Sequence, residues 1–280
     1  MKRPSVKNIF VYLLIIILVF VLLSPIIYIL ISSFKSLFEL ITGGTNILPQ
    51  KPTLQNYITL LKVRTPVRDF PKFLWNSLKV SIGTTIATII IASLGGYGFA
   101  RFKYKGGDIL GQLMLFIYVF PTVLLLIPIY RTYQFLKLQD TIIGLIIIYT
   151  ALVAPFCTWL ITSFFKTIPI ELEESASIDG ANRFYTLLRI TLPLAAPGIV
   201  TIGTYSFIFG WCEYMFASIL LTTSINKTAP LGLATLTAEQ YIEWGPLLAG
   251  SILIILPVII LFFPVSKQFI KGFIAGALKE

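Results

Sequence analysis

Histidine is absent from the 280 residues, and charged side chains make up only 12% of them. Zinc sites, Ser-His-Asp triads and histidine proton relays usually need imidazole, so its absence argues against all three. A soluble domain carries roughly 25% charged residues. With 56% hydrophobic residues and a mean hydropathy of +0.89, this chain has an apolar surplus that must face lipid. The composition therefore predicts an integral membrane protein and excludes a soluble enzyme.

Cysteine and phosphate-binding motifs are equally scarce. Cys157 and Cys212 are the only cysteines, and both fall in apolar runs, which indicates small buried hydrophobes rather than a disulfide. The Gly-x-x-x-x-Gly-Lys-Ser/Thr loop that cradles nucleotide phosphates is missing, so any ATP hydrolysis must occur on a partner chain. The net charge of +10 could indicate nucleic acid, but in a polytopic protein it reflects the basic loop residues that set orientation. We expect no catalytic residues, no metal, no cofactor and no nucleic acid.

Six apolar stretches qualify, or nearly qualify, as membrane spans, because the hydrocarbon core is ~30 Å thick and takes about 20 helical residues to cross. The sequence therefore predicts an all-α polytopic protein in which one transmembrane domain covers residues 1–280. The six predicted spans are 9–32, 77–100, 109–130, 141–165, 198–221 and 245–265.

The basic residues predict the orientation of these spans. Three clusters precede the first span, follow the second and follow the sixth, and with an even number of spans they share one side. The positive-inside rule makes that side cytoplasmic and places both termini there. The 33–76 loop on the opposite side is a partial exception with six basic residues, most of them well along the loop. The three clusters are Lys2, Arg3 and Lys7; Arg101, Lys103 and Lys105; and Lys267, Lys271 and Lys279.

Two helical patterns predict packing rather than chemistry. In the outer loop, Leu54, Tyr57, Ile58 and Leu61 follow the i, i+3, i+4, i+7 spacing of an amphipathic helix. We expect that helix to lie at the outer membrane surface or on the chain's own helices; a face for a partner is the alternative. In the second span, small residues recur at every fourth position and allow close helix packing in lipid. They are Thr88, Ala92, Gly96 and Ala100.

The loop at 166–197 carries the most informative pattern, because it reads as two short helices rather than a plain connector. Acidic residues follow Pro169 and suit the first turn of a helix. Asp179-Gly180 then breaks the helix, and Asp179 is expected to cap a second helix. The second helix presents apolar side chains on one face. These side chains are Phe184, Leu187 and Leu188.

This loop resembles the "EAA" loop of the permease subunits of binding-protein-dependent ABC importers. The family pattern is E-A-A-x-x-D-G-A, followed by F, I, L-P and P-G at matching offsets. This sequence departs at Ser175, where alanine is usual, and serine is small enough to be tolerated there. The resemblance implies that these residues couple the permease to its ATPase. They are Glu174, Ser175, Ala176, Asp179, Gly180, Ala181 and Phe184, with Ile190, Leu192-Pro193 and Pro197-Gly198 beyond them.

Other stretches are similar to the carbohydrate branch of that family. The run Trp211-Cys212-Glu213-Tyr214 resembles W-N-E-F, which makes Trp211, Glu213 and Tyr214 candidates for the solute path. The run from Trp244 to Gly250, the Leu256-Pro257 pair and the segment 271–279 are similar to the end of maltose-type subunits. Glu213 faces the interior of the complex in this interpretation, and a structural role competes with a role in the solute path.

The resemblance implies the ABC type I importer fold and a subunit that imports a sugar or oligosaccharide. Its partners would be a second homologous permease subunit, two cytoplasmic ATP-binding subunits and an extracellular solute-binding protein, in a bacterial or archaeal cytoplasmic membrane. The alternative is a secondary transporter or channel for a small polar solute. Such a protein should show ionisable groups along its path or an inverted repeat, whereas Glu213 is the one acid clearly within a span.

Overall fold

The computed structural model describes residues 6–42, 46–65, 68–102, 105–237 and 242–277. Within these ranges the regular secondary structure is helical, apart from one isolated β-bridge between Thr65 and Arg68. The α-helices are α1 (Val6–Ser32), α2 (Leu37–Thr42), α3 (Gln55–Lys62), α4 (Phe70–Arg101), α5 (Gly107–Phe116), α6 (Leu126–Phe135), α7 (Ile142–Lys166), α8 (Glu171–Ile178), α9 (Arg183–Thr186), α10 (Leu192–Leu194), α11 (Ala196–Cys212), α12 (Met215–Leu220), α13 (Ala229–Ala234) and α14 (Trp244–Ala277).

Among the described residues, four helices are long and apolar enough to cross a membrane, and the count rises to as many as six if each of two bent pairs is one span. The predicted first, second, fourth and sixth spans are single helices. The third is broken: 109–119 and 122–135 meet at 90° around Pro121, whose backbone is extended and which has no N–H to continue a helix. The fifth predicted span is also divided, because α11 ends at Cys212. The bend of 83° lies at the other end of α11, where it meets the preceding segment Arg183–Leu194.

The chain forms two compact units, 1–70 with 233–256 and 71–232 with 257–280. In the first unit, the Asn56 amide is buried and donates to the carbonyl oxygens of Ser33 and Lys35, both at 2.8 Å. The predicted outer-loop helix exists as α3. Leu54 and Ile58 of its apolar stripe are exposed, whereas the helix packs against the chain through Leu60 and through Asn56, whose amide satisfies those two carbonyls.

In the second unit, α4, α7 and α11 pack closely through glycines. A Cβ atom on Gly96 of α4 would lie 2.4 Å from the Ile161 side chain of α7. One on Gly210 of α11 would lie 3.1 Å from the Cα of Ser81 in α4. The predicted stripe of small residues is therefore a packing face: Thr88 and Ala92 are fully buried on it. The loop 166–197 joins α7 to α11 at one end of this three-helix core.

Candidate functional site

The loop from 166 to 197, called the coupling segment below, folds as the predicted pair of helices. Helix α8 ends in a Schellman turn, in which the Ala181 N–H donates to the Ala176 carbonyl at 2.9 Å and the Gly180 N–H to that of Ser177 at 3.1 Å. Gly180 has φ +87°, and a Cβ atom there would meet nothing within 4 Å. Glycine is therefore required for its backbone conformation and not for space.

The second helix is capped by Asn182, so the prediction that Asp179 caps it is wrong. The Asn182 side-chain oxygen accepts a hydrogen bond from the Tyr185 N–H at 2.8 Å. Asp179 is instead the C-cap residue of α8. Because Asp179 and Gly180 belong to the Schellman turn, α9 begins at Arg183, three residues after the start that a cap at Asp179 would give.

A buried carboxylate fixes the coupling segment to the end of α4. One oxygen of Glu173 accepts hydrogen bonds from Arg101 Nε at 2.8 Å and from the Thr191 hydroxyl at 2.9 Å. The other accepts from the Tyr97 hydroxyl at 2.8 Å. Arg101 also donates to the Ile168 carbonyl at 3.0 Å. Glu173 is 8% exposed, and it joins α8 to α4 and to the turn that follows α9.

That last turn is π-helical, over Leu187–Thr191. A π turn holds one residue more than an α turn and rotates the chain after it, so Thr191 faces the Glu173 carboxylate. The turn also buries Leu187, at 3% exposure, in the core cluster that includes Ile161 and Phe165. Of the predicted apolar face, Leu187 therefore packs inside its own subunit and offers no docking surface.

The exposed face of the coupling segment, called the tip below, carries large apolar side chains that the subunit itself does not cover. Ile178 is 87% exposed and Phe184 62% exposed. Beside them, a shallow groove of about 610 Å³ runs from Ala176 past Gly180 to Arg189. Glu174 and Ser175 are also exposed. We define the tip as Ile178, Phe184, Tyr185 and Leu188.

Glu213 lies at the break between α11 and α12, and its carboxylate organises that break. It accepts hydrogen bonds from the N–H groups of Phe216 at 2.8 Å and Ala217 at 3.2 Å, which are the free donors at the start of α12. The Tyr149 hydroxyl of α7 donates to it at 2.5 Å. The carboxylate thus caps α12 and ties it to α7.

The two aromatic candidates beside Glu213 have different surroundings. Trp211 is 4% exposed and stacks on Phe207, with ring centroids 5.8 Å apart and an interplanar angle of 12°. Tyr214 is 47% exposed. The Tyr214 side chain is therefore accessible, whereas a face of the Trp211 ring is covered by Phe207.

The sequence pattern missed Glu173, Arg101 and Thr191 as parts of one site. Glu173 entered only as one of several acids in a first helical turn, and Arg101 only as an orientation signal. A lone threonine gives no signal at all. The available hint was an arginine at the end of a span and an acid in the loop that is predicted to form a pair of helices.

Comparison with known proteins places this geometry in context. The family model described as "Binding-protein-dependent transport system inner membrane component" matches residues 85–266. The inner membrane ABC transporter permease protein YcjP of Escherichia coli is 34% identical over 92% of this chain and 91% of its own length. The trehalose/maltose transport system permease protein MalG of Thermococcus litoralis is 31% identical over 100% and 99%. The trehalose transport system permease protein SugB of Mycobacterium tuberculosis is 30% identical over 92% of each.

Two solved structures share the fold. A chain of a bacterial ABC transporter involved in the import of the acidic polysaccharide alginate matches with a TM-score of 0.80 and 24% identity, over 96% of this chain and 100% of that one. A chain of the alginate transporter in complex with a pentasaccharide-bound periplasmic protein matches with a TM-score of 0.65 and 16% identity, over 93% and 92%. The predicted all-α permease fold is confirmed by these likenesses and by the helical structure.

Proposed function

This chain belongs to the family of inner-membrane components of binding-protein-dependent transport systems, and on that premise we propose that its coupling segment is the mechanical joint to an ATPase subunit. The residues involved are Glu174, Ser175, Ala176, Asp179, Gly180, Ala181 and Phe184. Family membership favours this importer over the alternative of a secondary transporter or channel.

The observation that carries the proposal is an exposed apolar tip on a segment whose base is held by a buried ion pair. ATP hydrolysis on another chain shifts a permease between states only through contacts that differ between those states. The tip supplies apolar surface for such contacts, and the Glu173 ion pair ties its base to α4. Since Leu187 is buried, docking falls to Ile178 and Phe184.

The proposed complex has one copy of this chain, a second homologous permease subunit, two cytoplasmic ATP-binding subunits and an extracellular solute-binding protein. It lies in the cytoplasmic membrane of a bacterium or archaeon, with both termini and the coupling segment inside. The chain itself is no ATPase, because its sequence has no phosphate-binding loop.

The proposed cargo is a sugar or oligosaccharide. Support comes from the relatives, since MalG is named for trehalose and maltose and SugB for trehalose. In the structure, the half-exposed Tyr214 ring offers the flat apolar face on which sugar rings pack, and Glu213 beside it offers acceptors. Trp211 would join the path only if α11 or α12 moved, so we place Tyr214 first among the three candidates.

Reconstituted uptake tests the function. The four kinds of subunit are placed in liposomes with ATP inside, and labelled trehalose, maltose and longer glucosides are added outside with the cognate binding protein. We expect saturable uptake that needs both ATP and the binding protein. Uptake that continues without ATP and follows a proton or sodium gradient would refute the proposal.

A further inference from the structure

A cavity of about 990 Å³ opens beside the coupling segment, in the second unit, and the coupling role does not use it. Its walls come from the end of α4, one side of α5 and the end of α7. Because these helix ends mark where the spans leave the hydrocarbon region, the cavity lies at the level of the lipid headgroups. Its polar and basic lining is Arg101, Lys105, Gln112, Thr162, Ser163 and Lys166.

The cavity is cationic. Lys105 and Lys166 are exposed and supply its positive charge, whereas the Arg101 guanidinium is paired with Glu173. Among the lining side chains that the structure describes, none is a carboxylate. A cavity with this charge favours an anionic group, and the low dielectric of its walls strengthens the attraction.

The same cavity has apolar walls at its other end. Phe99, Met114, Leu115 and Trp159 line it there, below the basic groups. Outside it, α5 presents exposed Ile109, Leu110 and Leu113. A small soluble anion gains no binding energy from an apolar wall. A phospholipid can place its headgroup on the basic side chains and its acyl chains against the apolar ones.

We propose that this cavity binds the headgroup of an anionic phospholipid, with Lys105 and Lys166 on the phosphate and the acyl chains along Trp159 and α5. The site rests on the membrane location of the chain and is separate from the tip. It places a lipid against Arg101, the residue that holds the base of the coupling segment.

The glycine at position 111 allows a steric test that leaves the protein core alone. A Cβ atom on Gly111 would meet nothing within 4 Å, and the residue lines the cavity. Gly111→Leu therefore fills the cavity and also raises the helix propensity of α5. Lys105→Gln with Lys166→Gln removes the two lysine charges, and Lys62→Gln with Arg131→Gln is a matched control that removes two exposed cations elsewhere.

Native mass spectrometry of the intact complex, with added phosphatidylglycerol or phosphatidylcholine, measures the binding. The wild type and the control pair should retain one phosphatidylglycerol in preference to phosphatidylcholine. Retention should fall by roughly 30-fold in the lysine pair, and Gly111→Leu should also lose it while melting no earlier than the wild type.

Three outcomes would overturn the proposal. The first is equal retention of the two lipids by the wild type. The second is retention lost in the lysine pair but kept in Gly111→Leu, which would place the lipid outside the cavity. The third is competition by millimolar inorganic phosphate, which would make the site one for free phosphate. None of these measurements uses uptake, so failure of the transport proposal would be seen separately.

Discussion

Glu173 is the residue on which the base of the coupling segment depends most. Replacing one partner of a buried ion pair leaves the other charge unpaired and costs about 3–5 kcal/mol. Glu173→Gln should therefore lower the melting temperature of the purified complex and reduce uptake, whereas Glu171→Gln, on the exposed side of the same helix, should change neither.

The double variant separates the ion pair from the rest of the network. In Arg101→Gln with Glu173→Gln, no buried charge is left unpaired, so the loss of stability should be smaller than the sum of the two single losses. Additive losses would mean that the two side chains act independently of each other.

Gly180 gives a second prediction, which depends on backbone conformation alone. Because its φ is +87° and the space around it is free, a non-glycine L residue costs roughly 1–2 kcal/mol there, and asparagine costs least. Uptake by membrane vesicles should decrease in the order Gly180, Gly180→Asn, Gly180→Ala, Gly180→Val. Equal loss in the asparagine and valine variants would show that space, and not φ, is limiting.

At the scale of single residues, the sequence predicted what local rules determine. The glycine turn follows from Asp-Gly after a helical run, and the exposed Phe184 follows from the family pattern. Arg101 and Glu173 are 72 positions apart, and no local rule joins them. The cap was misassigned to Asp179 because a Schellman turn and an N-cap favour similar residues and differ only in backbone geometry.

At the scale of helices, the break at Glu213 is held by side-chain acceptors. Glu213→Gln keeps one acceptor oxygen for the N–H groups of α12, whereas Glu213→Ala leaves them unsatisfied and costs roughly 1 kcal/mol or more. We expect normal assembly of the glutamine variant and reduced assembly of the alanine variant, measured by co-purification of the partner subunits. Normal assembly with lost uptake in Glu213→Gln would assign the charge to the solute path.

The loop between α6 and α7 gives a pH prediction. Burial alone would raise the pKa of Asp140, but hydrogen bonds from the Thr223 hydroxyl and from the N–H groups of Thr223 and Thr222 outweigh it and lower the pKa below its ordinary value. A carboxyl group with a lowered folded-state pKa stabilises the fold above its unfolded pKa, near 4, and loses that effect as pH falls through the folded pKa.

Asp140→Asn tests this point without disturbing the backbone, since asparagine tolerates the residue's φ of 54°. The wild type should melt higher than the variant at pH 7, and the difference should shrink below about pH 4. A difference that stays constant from pH 7 to pH 3 would show that the ionised carboxylate adds nothing.

Helices were predicted well where an apolar run is uninterrupted and poorly where a proline or acid interrupts it. α7 matches its predicted span within one residue because hydropathy alone decides it, and α4 ends one residue after its predicted span but begins seven residues before it, at Phe70. The third and fifth predicted spans are divided at Pro121 and Glu213. These breaks were missed because the sequence is apolar on both sides of each, and an average hydropathy over a long window hides a single residue. The contact that Asn56 makes for α3 was missed because a buried amide counts as polar in any apolar pattern.

At the scale of the whole molecule, the orientation of the chain can be tested directly. Several residues of the basic clusters lie outside the described residues or have undescribed side chains, so the orientation stays a prediction from the sequence. In a background with alanine at Cys157 and Cys212, Leu48→Cys should react with an impermeant maleimide added to intact cells, and Ile178→Cys only after lysis. Labelling of both from outside would contradict the predicted topology. Both sites are highly exposed.

The central claim is that the tip joins this subunit to the ATPase. Its most direct measurement compares Ile178→Lys with Ile225→Lys, an exposed residue in the loop after α12, for co-purification of the ATPase subunit and for ATP-dependent uptake. Lysine suits the end of α8, where the helix dipole favours a cation, so the fold is kept while the apolar contact is lost. We predict that Ile178→Lys inserts normally, loses the ATPase and loses uptake, and that Ile225→Lys keeps the ATPase. Wild-type uptake by Ile178→Lys with the ATPase still attached would contradict the claim.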